Sequence, residues 1–240
     1  MKRVVITGGN SGIGYATAQL CKDRGYEVTI VGRDTARVGQ AAEKLGVTGI
    51  VADIANTSDL NDVASHFQDD GLDALVNNAA IGKFLPITEH TESLYDEFFH
   101  TNIRGPMMLC QLLLPALEKR KGCITNISSA IVNNGLPNAS LYAATKGAIE
   151  AFSRSLAIEV AAKGIRVNAV SPGAVNTPLL QKLELPEAEL KAIIDYQEQN
   201  VIPLGRYAAP DEIAQVIVSQ IEATYVTGTV WCADGGLGAQ

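Results

Sequence analysis

Cysteine is scarce in this sequence and poorly spaced for chemistry. The four are Cys21, Cys110, Cys123 and Cys232, and no two form a CxxC pair. That excludes a zinc ribbon or a thioredoxin-type redox motif, and it favours small buried thiols in a reducing compartment over disulfides. The three histidines, His66, His90 and His100, have no metal-ligand spacing, so no metal site is expected. No apolar run is long enough to cross a bilayer. The apolar stretch in "MKRVVITGG" stops at a glycine turn, too soon for a signal-peptide core. Basic residues are in deficit, 19 Lys and Arg against 26 Asp and Glu, with a net charge of −7. Such a surface is not built for nucleic acid or an anionic membrane, although a local basic pocket for phosphate is compatible with it. A GxxxxGK[ST] loop is missing too, so an ATP-type P-loop is not indicated. No linker, repeat or low-complexity segment divides the chain. A single domain over residues 1–240, located in the cytoplasm, is the expectation.

What is present alternates. Short β-branched runs, Arg3–Thr7 and Glu27–Val31, are each followed by a segment of helical periodicity. The second of these, Thr35–Leu45, stops at Gly46. "VTGIVADI", "LDALVNNAA", "GCITNISS", "GIRVNAVSPG" and "GTVWCADGG" continue the strand series. Helical patterns lie between them at about Ser58–Phe67, Leu94–Leu117, Leu141–Ala162 and Pro210–Ile221. Gly105 and Pro106 interrupt the Leu94–Leu117 pattern, so a kink or break is expected there. Apolar strands alternating with helices predict an α/β fold, a doubly wound parallel sheet of the Rossmann type in three α/β/α layers.

"TGGNSGIG", Thr7–Gly14, falls between the first strand and the first helix. Gly8, Gly12 and Gly14 would let the backbone turn tightly and approach a diphosphate, and the helix N-terminus would supply N–H donors and partial positive charge. At the end of the second strand stands "VGRD". Arg33 could pair with a ribose 2′-phosphate through its planar fork, which favours NADP(H) over NAD(H). Asp34 could instead neutralise Arg33. Asp53, after the third strand, could accept from an adenine amino group or cap the next helix.

"LYAATKGAIEAF" sets Tyr142 and Lys146 four residues apart, on one face of a helix. A phenol is a weak acid, with a pKa of about 10. A neighbouring ammonium stabilises the phenolate, and a cationic oxidised nicotinamide would add to that. The expectation is therefore a lowered tyrosine pKa and a phenol that exchanges a proton with a carbonyl or alcohol oxygen. Taken alone, the pair could equally be a snorkelling surface contact.

The wider set of motifs resembles the short-chain dehydrogenase/reductase superfamily in its compact single-domain form, over essentially Val4 to Gly236. "TGGNSGIG" is similar to the family's TGxxxGxG loop, "NNAA" to its NNAG signature and "SPGAVNTP" to its PG-plus-Thr segment. Ser129, favoured by spacing over its neighbour Ser128, precedes Tyr142 at the family's spacing, and "TNIRG" puts Asn102 at the place of its active-site asparagine. The resemblance implies hydride transfer between a nicotinamide dinucleotide and a small carbonyl or secondary alcohol. Tyr142 would be the acid/base, and Lys146 would tune it and bond the nicotinamide ribose. Ser129 would donate to the substrate oxygen, and Asn102 would hold a relay water. It implies cofactor contacts from Gly8, Asn10, Ser11, Gly12, Ile13 and Gly14, from Asp53 and Ile54, and from Asn78 and Ala79. Pro172, Gly173, Val175 and Thr177 would hold the carboxamide end. A homo-oligomer, dimer or tetramer, is also implied.

Two departures stand out: Ala80 where glycine is usual, and a short "IVSQIEATYVTG" link into the last strand. Residues 176–200 fall where the family folds a variable substrate lid. Leu179, Leu180, Leu183, Leu185, Ile193, Ile194 and Tyr196 alternate there with Glu184, Glu187, Glu189 and Asp195, which suits a substrate cover and an ordinary amphipathic helix equally. The competing reading from another class is a catalytically silent dinucleotide-binding sensor or scaffold. It would be marked by a lost tyrosine or lysine, and both are intact. A methyltransferase also has a glycine turn after its first strand, but no role for the Ser–Tyr–Lys set.

Overall fold

The structure is a computed structural model that describes residues 1–181 and 186–239. Seven strands form one sheet: β1 (Arg3–Thr7), β2 (Glu27–Gly32), β3 (Thr48–Val51), β4 (Ala74–Asn77), β5 (Cys123–Ile127), β6 (Arg166–Pro172) and β7 (Val230–Ala233). Their spatial order is β3-β2-β1-β4-β5-β6-β7, and every pairing is parallel. The connections are helical: α1 (Gly12–Asp23), α2 (Thr35–Leu45), α3 (Thr57–Ser65), α4 (Glu92–Phe99), α5 (Gly105–Arg120), α6 (Ile131–Asn134), α7 (Ser140–Val160), α8 (Pro178–Gln181), α9 (Glu187–Asn200) and α10 (Pro210–Glu222).

Side chains alternate across each strand, and β1 shows the result. Val4 and Ile6 join a core with Ala18 and Cys21 of α1, Leu45 of α2 and Ile217 of α10. Val5 joins a second core with Leu60 of α3, Leu113 of α5 and Leu156 of α7. One helical layer therefore covers each face, which is the expected α/β/α arrangement. The two outer strands are shorter than their apolar runs suggest. In β3 and β7 no residue is fully buried, because an edge strand lacks a neighbour on one side.

Local signals account for the element ends. Asp34 caps α2 by accepting from the Arg37 N–H at 3.0 Å, and Gly46 closes it in the left-handed region at φ 63°. The expected break near Gly105 takes a specific form. A π-helical turn, His100–Arg104, joins α4 to α5. Pro106 has no N–H to give the carbonyl four residues back, that of Asn102, and the wider turn lies there. Gly105 is forced by proximity, since a Cβ on it would stand 2.4 Å from the Ile54 carbonyl oxygen. No helix among the described residues is long and apolar enough to cross a membrane.

Candidate active site

The sheet reverses its winding between β1 and β4, and the loops leaving those two strands form a crevice at the C-terminal edge. They are pinned together. The Thr7 hydroxyl accepts from the backbone N–H groups of Asn78 and Ala79, both at 3.0 Å. The Asn78 amide donates to the carbonyls of Thr7 at 2.9 Å and Gly8 at 3.3 Å. The glycines behave as expected. Gly8 and Gly12 have φ of 64° and 52°. A Cβ on Gly14 would sit 2.3 Å from the Gly8 carbonyl oxygen. Ser11 leads into α1 without capping it through its side chain, so the first-turn N–H groups there meet no protein side-chain cap. This cradle at a helix N-terminus, with no side-chain cap and no Cβ at Gly8, Gly12 or Gly14, fits a dinucleotide diphosphate. Thr177 closes the far side, with its Cγ2 3.3 Å from where a Gly12 Cβ would be.

Around the cradle the expected residues separate. Arg33 is exposed, and no partner for it exists among the described residues. Asp34 is committed to the α2 cap and to an ion pair with Arg37 at 3.7 Å, not to Arg33. Asn10 lies over the end of β2, its Oδ1 2.7 Å from the position of a Gly32 Cβ. Asp53 does not cap α3; Asn56 does, accepting from the Ser58 N–H. The Asp53 carboxylate receives the Ala55 N–H at 2.9 Å. Gly173 has a packing reason, since a Cβ there would meet the Asp234 backbone at 2.7 Å. Val175 is buried and bridges to Ala208. Ala80 is not among the residues at positive φ, so its backbone has no need of glycine. The short link before β7 is closed by Arg166, which donates to the Ile221 carbonyl at 2.7 Å, and by Asn168, which donates to that of Val226 at 2.9 Å.

The polar stripe of α7 faces the end of β5. Lys146, 4 % exposed, donates through Nζ to the Ile127 carbonyl at 2.7 Å. The same Nζ stands 5.6 Å from the centre of the Tyr142 ring. The Ser129 side chain lies near enough to the Tyr142 hydroxyl to favour its ionisation, and its Oγ accepts the Ile131 N–H at 3.4 Å. Asn102 is buried, and its amide donates to the Thr145 hydroxyl at 3.2 Å and to the Ile81 carbonyl at 2.9 Å. Its carbonyl oxygen accepts the Ile81 N–H at 2.9 Å. All four expected reactive-site residues thus lie within one connected patch.

The electrostatics correct one expectation. Burial pushes the Tyr142 hydroxyl up to about 12. Burial also pulls Lys146 down to about 8. Among the described residues, desolvation sets the direction for both groups, and the opposing influence on Tyr142 is Ser129. A pH signature follows. The Lys146 pKa is lowered on folding from 10.5 to about 8, so the unfolded chain binds more protons between those values and stability rises with pH through that window. Lys146→Met removes this rise. Between about pH 7 and 10, wild type gains up to about 3 kcal/mol relative to the variant, as read by urea unfolding. A difference that stays flat with pH would show that the amine is not held in a desolvated site.

Sequence reading passed over several residues here. Thr7 pins two loops but reads only as a strand end. Thr145 holds Asn102. Phe84 meets Tyr142 edge-on at 5.9 Å and 76°. Ser128 reads only as the less favoured neighbour of Ser129, and its own partner is passed over: its hydroxyl donates to Glu150 at 2.7 Å. For Glu150 a signal existed, because it continues the Tyr142–Lys146 stripe by one more step of four.

In α9 no residue is buried, and Ile193 and Tyr196 are 37 % and 62 % exposed. An ordinary amphipathic helix would have sunk that face into the core. Leu183, Glu184 and Leu185 lie outside the described residues, as does the side chain of Leu179.

Comparison with known proteins agrees with this geometry. The family model described as enoyl-(acyl carrier protein) reductase matches residues 8–238. The chain is 36 % identical to a mouse (Mus musculus) 3-oxoacyl-[acyl-carrier-protein] reductase, over 98 % of both chains. A solved 3-ketoacyl-(acyl-carrier-protein) reductase from Brucella melitensis, complexed with NADH, superposes with a TM-score of 0.89 at 29 % identity, covering 99 % of this chain and 98 % of that one. L-Sorbose reductase from Gluconobacter frateurii, complexed with NADPH and L-sorbose, gives 0.92 at 29 % identity, covering 100 % and 97 %. With this match along its length and a seven-stranded parallel sheet, the chain belongs to the short-chain dehydrogenase/reductase superfamily and is an NAD(P)-dependent oxidoreductase acting on a carbonyl/alcohol pair.

Proposed function

We propose that this single-domain chain is a cytoplasmic, NADP(H)-preferring carbonyl reductase of small molecules, with Tyr142 as its general acid/base. The observation that carries the reading is the convergence of Ser129, Tyr142 and Lys146 at the same C-terminal edge of the parallel sheet that carries the glycine cradle. Gly8, Asn10, Ser11, Gly12, Ile13 and Gly14 would hold the diphosphate, and Asp53 and Ile54 the adenine. Asn78, Ala79, Lys146, Pro172, Gly173, Val175 and Thr177 would hold the nicotinamide half. Hydride transfer is the chemistry that a bound nicotinamide dinucleotide supplies.

The protein's own part is proton handling. Tyr142, raised to about 12, keeps its proton at neutral pH. A phenol is still more acidic than a secondary alcohol, so its O–H gives a proton to the substrate oxygen as negative charge grows there. The Ser129 hydroxyl donates to the same oxygen. Lys146 offsets the phenolate left behind. Asn102 fixes Thr145, on the Tyr142 helix, and Ile81, in the loop after β4.

Arg33 supports the NADP(H) preference, being exposed and unpaired among the described residues while Asp34 is occupied elsewhere. Arg33→Ala raises the KM for NADPH by roughly tenfold to a hundredfold, the worth of charge-assisted hydrogen bonds, and leaves that for NADH nearly unchanged. Equal effects on both would remove Arg33 as the 2′-phosphate partner. Residues 176–200 act as the lid, which the unburied apolar face of α9 supports. A homo-oligomer built on α5 and α7 is supported by Met107 and Ile158, 38 % and 82 % exposed. The test of the whole reading is a panel of ketones and secondary alcohols with both cofactors, followed at the reduced-nicotinamide absorbance. Turnover on none of them would overturn it.

A further inference from the structure

Ser129 stands just past the end of β5, where the strand ladder stops holding it. Its neighbours are fixed on the β6 side by backbone bonds, Ser128 N–H to the Val170 carbonyl and Ala130 N–H to that of Pro172, each at 2.8 Å. On the α7 side the same corner is held by the side chains of Lys146 and Glu150, with the Lys146 carbonyl a longer alternative acceptor for the Ser128 hydroxyl at 3.4 Å. Lys146 reaches the Ile127 carbonyl. Glu150 takes the Ser128 hydroxyl on its Oε1 at 2.7 Å.

Lys146 already belongs to the reactive set, whereas Glu150 does not. Glu150 is 5 % exposed and Ser128 2 %. Among the described residues the other Glu150 oxygen pairs with Arg154, at 3.5 Å, and that arginine is half exposed. A buried carboxylate is costly to desolvate, and a leucine would pack α7 on the sheet without that cost. The carboxylate sits on the same helical stripe as Tyr142 and Lys146, and its bond goes to the residue beside Ser129. We propose that Glu150 is a positioning residue: by holding the Ser128 hydroxyl it locks the β5 corner to α7 and keeps Ser129 in line with Tyr142. The proposal rests on Ser129 and Tyr142 being the reacting pair.

The test compares Ser128→Ala, Glu150→Leu and Glu150→Gln with wild type and with Tyr142→Phe. It reads kcat, KM for a ketone substrate, and NADPH affinity by fluorescence. Ser128→Ala and Glu150→Leu each lower kcat on the order of tenfold, the effect of a lost charge-assisted bond that orients a reacting group, and leave NADPH affinity unchanged. Glu150→Gln keeps most of the turnover, because its amide oxygen can accept the same bond. Wild-type kcat in Ser128→Ala overturns the proposal, and so does a loss in Glu150→Gln equal to that in Glu150→Leu. A loss confined to NADPH affinity overturns it as well. Should Glu150→Leu fail to fold, Ser128→Ala decides alone, since it removes a single hydroxyl. Full turnover in Tyr142→Phe would sink the reading of the site itself; an inactive Tyr142→Phe beside an unaffected Ser128→Ala sinks only the role of Glu150.

Discussion

In Tyr142→Phe, kcat falls by roughly 10²- to 10⁴-fold, the usual worth of a positioned acid/base group, while NADPH affinity changes little. The variant removes one oxygen and leaves the ring. That ring keeps its edge-on contact with Phe84 at 5.9 Å and its place beside Lys146, so the cleft holds its shape. What disappears is the proton that the hydroxyl carries at neutral pH, where burial holds its pKa still further above the solution pH. Steady-state turnover with a ketone, together with cofactor titration by fluorescence, separates the two quantities. A variant that turned over at the wild-type rate would end the acid/base assignment. One that lost turnover and cofactor affinity together would show that the phenol matters for binding instead.

Gly14→Ala abolishes tight dinucleotide binding. Its Cβ would lie 2.3 Å from the Gly8 carbonyl oxygen and 2.6 Å from the Asn78 amide nitrogen. Neither can yield alone, because Asn78 is bonded to Thr7 and Gly8. The loop must open, which costs on the order of 1–3 kcal/mol of stability as in other overpacked sites. It also carries the diphosphate donors out of line, for a fall in affinity of roughly a hundredfold or more. Gly39→Ala is the control, since a Cβ there meets nothing within 4 Å and it lies inside α2. That variant gains about 0.5–1 kcal/mol from helix propensity and keeps its affinity. Titration calorimetry and thermal unfolding on both variants check the contrast. Undiminished affinity in Gly14→Ala would mean that the cradle is not where the diphosphate sits.

The order of elements was legible because each carries its own local mark. Asp34 and Gly46 bound α2 at both ends, and the period of apolar residues separates strand from helix. The extent of β3 and β7 was not legible, since an edge strand and a central strand read alike until the neighbours are known. Pro106 announced an irregularity but not its kind. A π turn depends on how the chain passes Ile54, about fifty residues earlier in sequence and so invisible to a local pattern. Spacing could point to the residues proposed to react, which packing brings into one patch, yet it could not give the direction of the Tyr142 pKa. Spacing reveals that a lysine is near; it does not reveal how much water is gone. Glu150 was missed for a related reason. Its meaning lies in the Ser128 hydroxyl on another element, and only packing brings the two together.

The junction between β1 and β4 has a consequence for how the molecule holds itself. Three register pairs join the two halves of the sheet there, Val4 with Ala74, Val5 with Leu75 and Ile6 with Val76. The dinucleotide cradle opens directly above that seam, with Thr7 and Asn78 as its rivets. A ligand that grips both loops therefore acts as a clamp across the halves of the fold. Whatever free energy it contributes on binding is added to the resistance of the seam to parting, so cofactor supply also sets how long the folded chain survives.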